Sequence, residues 1–153
     1  MKENQKNNFL KDKTLFFDFD STFVKVETID ELARISLQND PEKESKLNQI
    51  VDITNRTMSG EIDFPSALQL RLDLLNLDKD NIARVTEDIK SLVSDSFIKS
   101  RKLISSLSND IWIISGGFKE VIYPVVSDFG INEDRVIANN FIYDNENVIG
   151  CDP

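Results

Sequence analysis

The chain has 153 residues, 40% hydrophobic and 29% charged, which suits one soluble domain or a compact domain carrying a small insertion. A formal net charge of −9 with no histidine argues against a nucleic-acid binder, because lysines and arginines on phosphates supply most of that affinity. No apolar run approaches the ~18 residues of a membrane-spanning helix, so no membrane partner is expected.

Residues 1–13 read as a polar tail, and residues 1–8 lack the apolar stretch of a signal peptide. The single cysteine, Cys151, has no internal partner, which together with the missing export signal points to the cytoplasm. With no histidine to activate it, its thiol reads as incidental.

Residues 14–19 are aromatic-rich and apolar on both faces, as expected of a buried central strand in a parallel sheet. The run ends in Asp18 and Asp20. From Glu27 the period changes to a helical stripe through Ile29, Leu32, Ala33 and Ser36, and Asp40-Pro41 then opens a second helix. That helix carries Leu47, Ile50, Val51, Thr54, Thr57 and Met58 and stops at Ser59-Gly60. A third starts near Asp63-Phe64-Pro65, with Leu68, Leu72 and Leu75 on one face. A fourth runs from about Asp80 to Ser94 through Ile82, Val85, Ile89 and Val93. Roughly seventy residues are thus helical with no strand among them.

The sheet pattern resumes with a helix over 99–107 and a short buried strand, Ile111 to Ile114, ending in Ser115-Gly116-Gly117. A helix over 118–128, kinked at Pro124, leads to a strand over 136–138. A hairpin follows, Phe141 to Tyr143 against Asn147 to Ile149.

In an open parallel sheet both polar strand ends empty into the crevice at the carboxyl edge, which brings Asp18, Asp20 and Ser115 together. Singly, an Asp-x-Asp suits a turn or a cap, and a Ser-Gly-Gly suits the start of a helix. Jointly they suit chemistry on phosphate. Two close carboxylates repel unless a cation lies between them, and hard oxygen ligands favour Mg²⁺. Ser115 and the free amides after it, at a helix N-terminus, would hold phosphate oxygens. One aspartate can then attack phosphorus to give an aspartyl-phosphate, with the other as general acid and base.

The run Phe17-Asp18-Phe19-Asp20-Ser21-Thr22 resembles the first motif of the haloacid dehalogenase-like phosphatases. With Glu27 to Ala33, Met58 to Phe64, Ala67-Leu68 to Arg71 and Ser115 to Phe118 added, the pattern resembles the phosphoserine phosphatase branch over residues 13–150. The resemblance implies a Rossmann-like α/β core over 1–26 and 95–153, with an all-α cap inserted over 27–94. It implies Mg²⁺-dependent hydrolysis of O-phosphoserine, the last step of serine biosynthesis, with Asp18 as nucleophile and metal ligand. Asp20 would be the acid and base and bind the metal through its backbone carbonyl, and Ser115 with Gly116 would hold the phosphate. Glu27 would face the substrate ammonium, Arg71 its carboxylate, and Met58 with Phe64 would form an apolar wall. Phe64 and Arg71 are two helical turns apart and share a face, which supports part of this assignment.

The family pattern continues with a lysine and a Gly-Asp-Gly-x-Asn-Asp loop that complete the charge balance, and the sequence to Pro153 carries neither. The expectation is therefore a partial domain lacking two sheet strands, with very weak or no turnover by itself. A missing C-terminal segment or a homodimer is the partner this leaves room for. Three other readings fit the same residues: a phosphatase for another small phosphomonoester, a catalytically dead phosphoserine-binding domain, and a split protein completed by another chain.

Overall fold

The computed structural model describes residues 13–152, so the expected polar tail lies almost wholly outside the described residues. Four strands form one sheet in the order β1 (Leu15–Phe17), β2 (Ile111–Phe118), β3 (Val136–Asp144) and β4 (Asn147–Asp152). The first three are parallel, with Leu15 opposite Ile111 and Ile113 opposite Val136. The β3–β4 pair is an antiparallel hairpin with Phe141 opposite Cys151.

Parallel neighbours need long crossovers, and helices supply both of them. Between β1 and β2 lie α1 (Thr28–Ser36), α2 (Lys43–Met58), α3 (Phe64–Asp73), α4 (Lys79–Lys90), α5 (Asp95–Lys99) and α6 (Arg101–Ser106). Between β2 and β3 lies α7 (Lys119–Val126). Helices α3 and α4 start where their sequences provide caps: Asp63 accepts from the Ser66 amide at 2.9 Å, and Asp78 from the Asn81 amide at 2.7 Å. Pro124 lies inside α7, which stays one element up to Val126 before a 3₁₀ turn ends at Gly130 (φ 82°). So late in the helix, proline deprives only the Glu120 carbonyl of its usual partner.

Two expectations about the sheet are corrected. Among the described residues the first strand lies at an edge rather than in the centre: it is three residues long, and β2 is its one neighbour. It is not buried on both faces either, since Phe16 is 61% exposed, as are Ile114 (44%) and Ile137 (52%). The strand order rises monotonically from β1 to β3, so right-handed crossovers deliver their helices to a single face. Phe17, Ile113 and Val136 point to that covered side.

One contiguous hydrophobic core joins the sheet to the helical segment. An aromatic knot anchors the end of β1, with Phe23 packed on Phe97 (ring centroids 4.4 Å apart) and on Phe129 (5.0 Å), and Phe97 edge-on to Phe17. Backbone contacts also tie the helical segment to the segment after β1 and to β4. The Lys25 amide donates to Leu92 O (2.9 Å) beside a Val24–Val93 bridge, and the Val148 amide donates to Leu77 O (2.9 Å) beside an Asp78–Asn147 bridge.

Candidate active site

At the end of β1 the backbone stays extended through Asp18 (φ −73°, ψ 153°), and extended chain alternates its side chains. Phe19 is therefore fully buried between two aspartates that face outward, a burial contributing about 1.5–3 kcal/mol. Asp18 is exposed; one carboxylate oxygen accepts from the Phe19 amide (2.9 Å) and the other from the Thr22 hydroxyl (3.4 Å). The chain then reverses at Ser21, whose φ of 52° lies in the left-handed region and costs a non-glycine residue ~1–2 kcal/mol. Local hydrogen bonds offset that strain: the Ser21 amide donates to Val26 O (3.1 Å) and its hydroxyl to Glu27 Oε1 (2.6 Å).

Asp20 is half-buried, with its two oxygens in different surroundings. Oδ1 accepts from both the amide (2.7 Å) and the hydroxyl (2.5 Å) of Thr28, the first residue of α1. Oδ2 accepts from the Ser115 hydroxyl, 3.4 Å away. Burial pushes the Asp20 carboxyl above the usual 3.8; the Thr28 hydrogen bonds oppose this, and the charges of Glu27 and Asp18 add to it. A carboxyl raised in this way is suited to carrying a proton for transfer.

The Ser115-Gly116-Gly117 stretch is a bulge inside β2 rather than the start of a helix, because pairing with β3 shifts between Ile114 and Phe118 and the strand continues to Phe118. This corrects the expectation of free amides throughout: the Gly117 amide donates to the Ser115 hydroxyl oxygen (2.9 Å). Asn139 on β3 clamps the bulge from behind, its side-chain amide donating to Gly116 O (2.7 Å) and Gly117 O (3.2 Å). Glycine is needed where neighbours come close. A Cβ on Gly116 would lie 2.6 Å from Phe64 Cζ, and one on Gly117 would lie 3.1 Å from Asp20 Oδ2.

Across from this floor, α3 presents Phe64, Leu68 and Arg71 at helical spacing along one stripe. Together with Asp18, Asp20, Glu27, Ile29 and the Gly116–Phe118 backbone they enclose a cavity of ≈ 210 Å³. Such a volume suits a small ligand. Arg71 is only 9% exposed, and among the described residues its one hydrogen bond is from Nε to Ala67 O at 3.3 Å, so most of its donors are left for the cavity. Burial pulls its guanidinium below the usual range while the charges of Asp30 and Glu27 push it back up. Asp30 is itself raised by burial and by Glu27, with Arg71 opposing.

The fold thus brings Asp18, Asp20, Glu27, Phe64, Arg71 and Gly116 to one cavity, with Ser115 at its edge. Met58 is not there: it is the last residue of α2, where the chain turns away through Gly60 (φ 79°), and it is 84% exposed. Its expected place on the apolar wall is taken by Leu68 and Ile29. Thr28, Asp30 and Asn139 are polar residues of the site that sequence reasoning passed over. Thr28 and Asp30 did lie within the Glu27–Ala33 pattern, and their spacing on α1 was the available signal.

No family model matches the chain. Human phosphoserine phosphatase is 31% identical over 140 residues, spanning 89% of this chain and 57% of the human protein. A phosphoserine phosphohydrolase-like protein from Francisella tularensis superposes with a TM-score of 0.75 at 32% identity, over 92% of this chain and 64% of that one. The chain is thus similar to phosphoserine phosphatases over most of its own length. A phospho-aspartyl intermediate analogue of another phosphoserine phosphatase superposes with a TM-score of 0.66 at 28% identity, over 89% of this chain and 60% of that one. The chain spans about half the length of the curated phosphoserine phosphatases it matches. No helix among the described residues is long and apolar enough to cross a membrane.

Proposed function

We propose that this chain carries the substrate pocket and the nucleophile of a phosphatase acting on O-phosphoserine, in the cytoplasmic synthesis of serine. The observation that carries this reading is the polarity of the cavity: a buried guanidinium at one wall, two aspartates at the other, and a volume of ≈ 210 Å³ between them. A phosphomonoester with a carboxylate at its far end fits that arrangement, because a planar fork of donors matches a carboxylate. Glu27 and Asp30 beside Arg71 supply the negative charge that an ammonium group needs. In this reading the core comprises 1–26 and 95–153, and residues 27–94 form the cap.

The chemistry follows from which group is free. A carboxylate oxygen of exposed Asp18 attacks phosphorus, the bond from phosphorus to the serine oxygen breaks, and Asp20 gives that oxygen its proton. Water then attacks the aspartyl-phosphate while Asp20 takes back a proton, releasing phosphate and restoring Asp18. Ser115 and the bulge lie beside the phosphate throughout.

Mg²⁺ fits the donor chemistry in kind. Both Asp18 oxygens keep lone pairs, the second holding only a 3.4 Å hydrogen bond, and Mg²⁺ commonly takes one or two carboxylates plus phosphate and waters. Asp18 and the Asp20 carbonyl would hold it, and when bound it would neutralise part of the phosphate charge. Among the described residues no group of three or more His, Cys, Asp or Glu converges to form a closed site. Arg71 is the one cation among the described residues lining the cavity, against Asp18, Asp20 and Glu27, so turnover by the 153-residue chain is expected to be slow.

The test is phosphate release from O-phosphoserine with Mg²⁺, alongside a nitrogen-15 NMR titration. Slow release that is lost in Asp18→Asn supports the reading. Absence of both release and any saturable shift at Arg71 and Gly116 refutes it. Saturable shifts without release favour a binding domain, a second reading supported by the negative balance of the cavity.

A further inference from the structure

We propose that Thr28 is the positioning residue that fixes Asp20, so that its proton transfers pass through Oδ2 alone. The inference rests on the phosphatase reading above and assigns a reacting atom within it. Thr28 is 1% exposed and directs both of its donors, the amide at 2.7 Å and the hydroxyl at 2.5 Å, onto the same oxygen, Oδ1. An oxygen that already accepts two short hydrogen bonds cannot also present a proton to the cavity without losing one of them. Oδ2 has the opposite surroundings. Among the described residues its one partner is the Ser115 hydroxyl at 3.4 Å, and it lies 3.1 Å from where a Cβ on Gly117 would be, on the side of the bulge.

Two properties of Thr28 make this a positioning role rather than ordinary helix capping. Its amide is among the unsatisfied first-turn donors of α1, so the carboxylate stands where a cap would stand, yet it belongs to a residue eight positions earlier. Its side chain is buried, and its hydroxyl goes to Asp20 Oδ1 rather than to a carbonyl of its own helix. Asp20 is thereby gripped by a rigid helix end, and its free oxygen is turned toward the substrate. In the first step the proton leaves Oδ2 for the serine oxygen as the phosphorus–oxygen bond breaks; in the second, Oδ2 takes a proton from the attacking water.

The test compares Thr28→Val, which keeps shape and loses only the hydroxyl donor, with Thr28→Ser, which restores it. Misdirecting the acid should lower kcat for O-phosphoserine about 10- to 100-fold in Thr28→Val, with KM changed less than about twofold, and Thr28→Ser should recover most of the loss. An aryl phosphate, whose leaving group needs no proton, should keep its first-turnover burst in Thr28→Val. An equal loss on both substrates, or no recovery with serine, overturns the proposal. A second measurement needs no turnover: side-chain couplings should report one Asp20 rotamer in the wild type and Thr28→Ser, and averaged rotamers in Thr28→Val. A single unchanged rotamer in Thr28→Val overturns the proposal even if the wild type releases no phosphate, the outcome that would remove the enzymatic reading itself. If Thr28→Val does not fold, Thr28→Ala is read the same way.

Discussion

Replacing Arg71 by methionine isolates the feature on which substrate identity depends. The side chain is 9% exposed, and among the described residues its one hydrogen bond goes to its own helix at Ala67 O. Methionine keeps much of the stem volume and removes the fork. A hydrogen bond to a charged partner contributes about 1.5–3 kcal/mol, so Arg71→Met should weaken O-phosphoserine binding roughly 10- to 150-fold. Phosphoethanolamine has the same phosphate and ammonium but no carboxylate, and its binding should change little. The assay is a nitrogen-15 NMR titration of both ligands against both proteins, with urea unfolding to show that Arg71→Met stays folded. The quantity that decides is the ratio of the two affinities, which should collapse toward one in Arg71→Met. If both ligands lose the same factor, Arg71 acts on the phosphate or on the fold, and the carboxylate assignment is wrong.

Asp18→Asn should abolish formation of a phosphorylated protein in mass spectra, with stability unchanged within about 1 kcal/mol because the Phe19 amide keeps an acceptor; retained turnover would remove Asp18 as nucleophile. Gly117→Ala should cost about 1–3 kcal/mol in urea unfolding, since its Cβ would meet Asp20, Ser115 and Ile122 within 3.3 Å. Gly116→Ala meets only the tip of the Phe64 ring, so it should cost less and mainly displace that ring, visible as shifted aromatic resonances. The Asp20 carboxyl is raised, so the folded protein holds this proton to higher pH than the unfolded chain does. The stability that Asp20 contributes is therefore present at low pH and lost as pH rises above the usual 3.8 through the folded value. Asp20→Asn should remove that fall, giving a flatter melting-temperature profile and a more stable protein at neutral pH.

The local chemistry of the site was legible because it rests on short spacings. Asp18 and Asp20 lie two apart on extended chain, and Phe64 and Arg71 lie two turns apart on one helix; in both cases the period fixes the face. What depends on distant segments meeting was not legible. Asn139 clamps a bulge 23 residues earlier in the chain, and the Gly117 amide is taken by Ser115 because β2 shifts register there; neither has a periodic signal. Thr28 could pass for an ordinary first-turn residue until the fold placed Asp20 against it. Met58 fitted the apolar stripe of its helix, but a stripe does not say where the helix ends, and its last residue projects past the packed face. The open face of β1 was hidden for the opposite reason: an apolar strand looks the same whether its second face is covered or open.

The two backbone ties that hold the helical segment, one after β1 and one on β4, bear on how this cavity can exchange its contents. A cap hinged at one edge swings like a door, whereas here the segment is held beside Val93 and again beside Asn147, at opposite ends of α4. Swinging about either tie strains the other, at about 0.5–1.5 kcal/mol for each backbone hydrogen bond broken. The economical motion is therefore local. The Phe64 ring, which lines the cavity, is 47% exposed and rests on Gly116, so turning it aside leaves both ties in place.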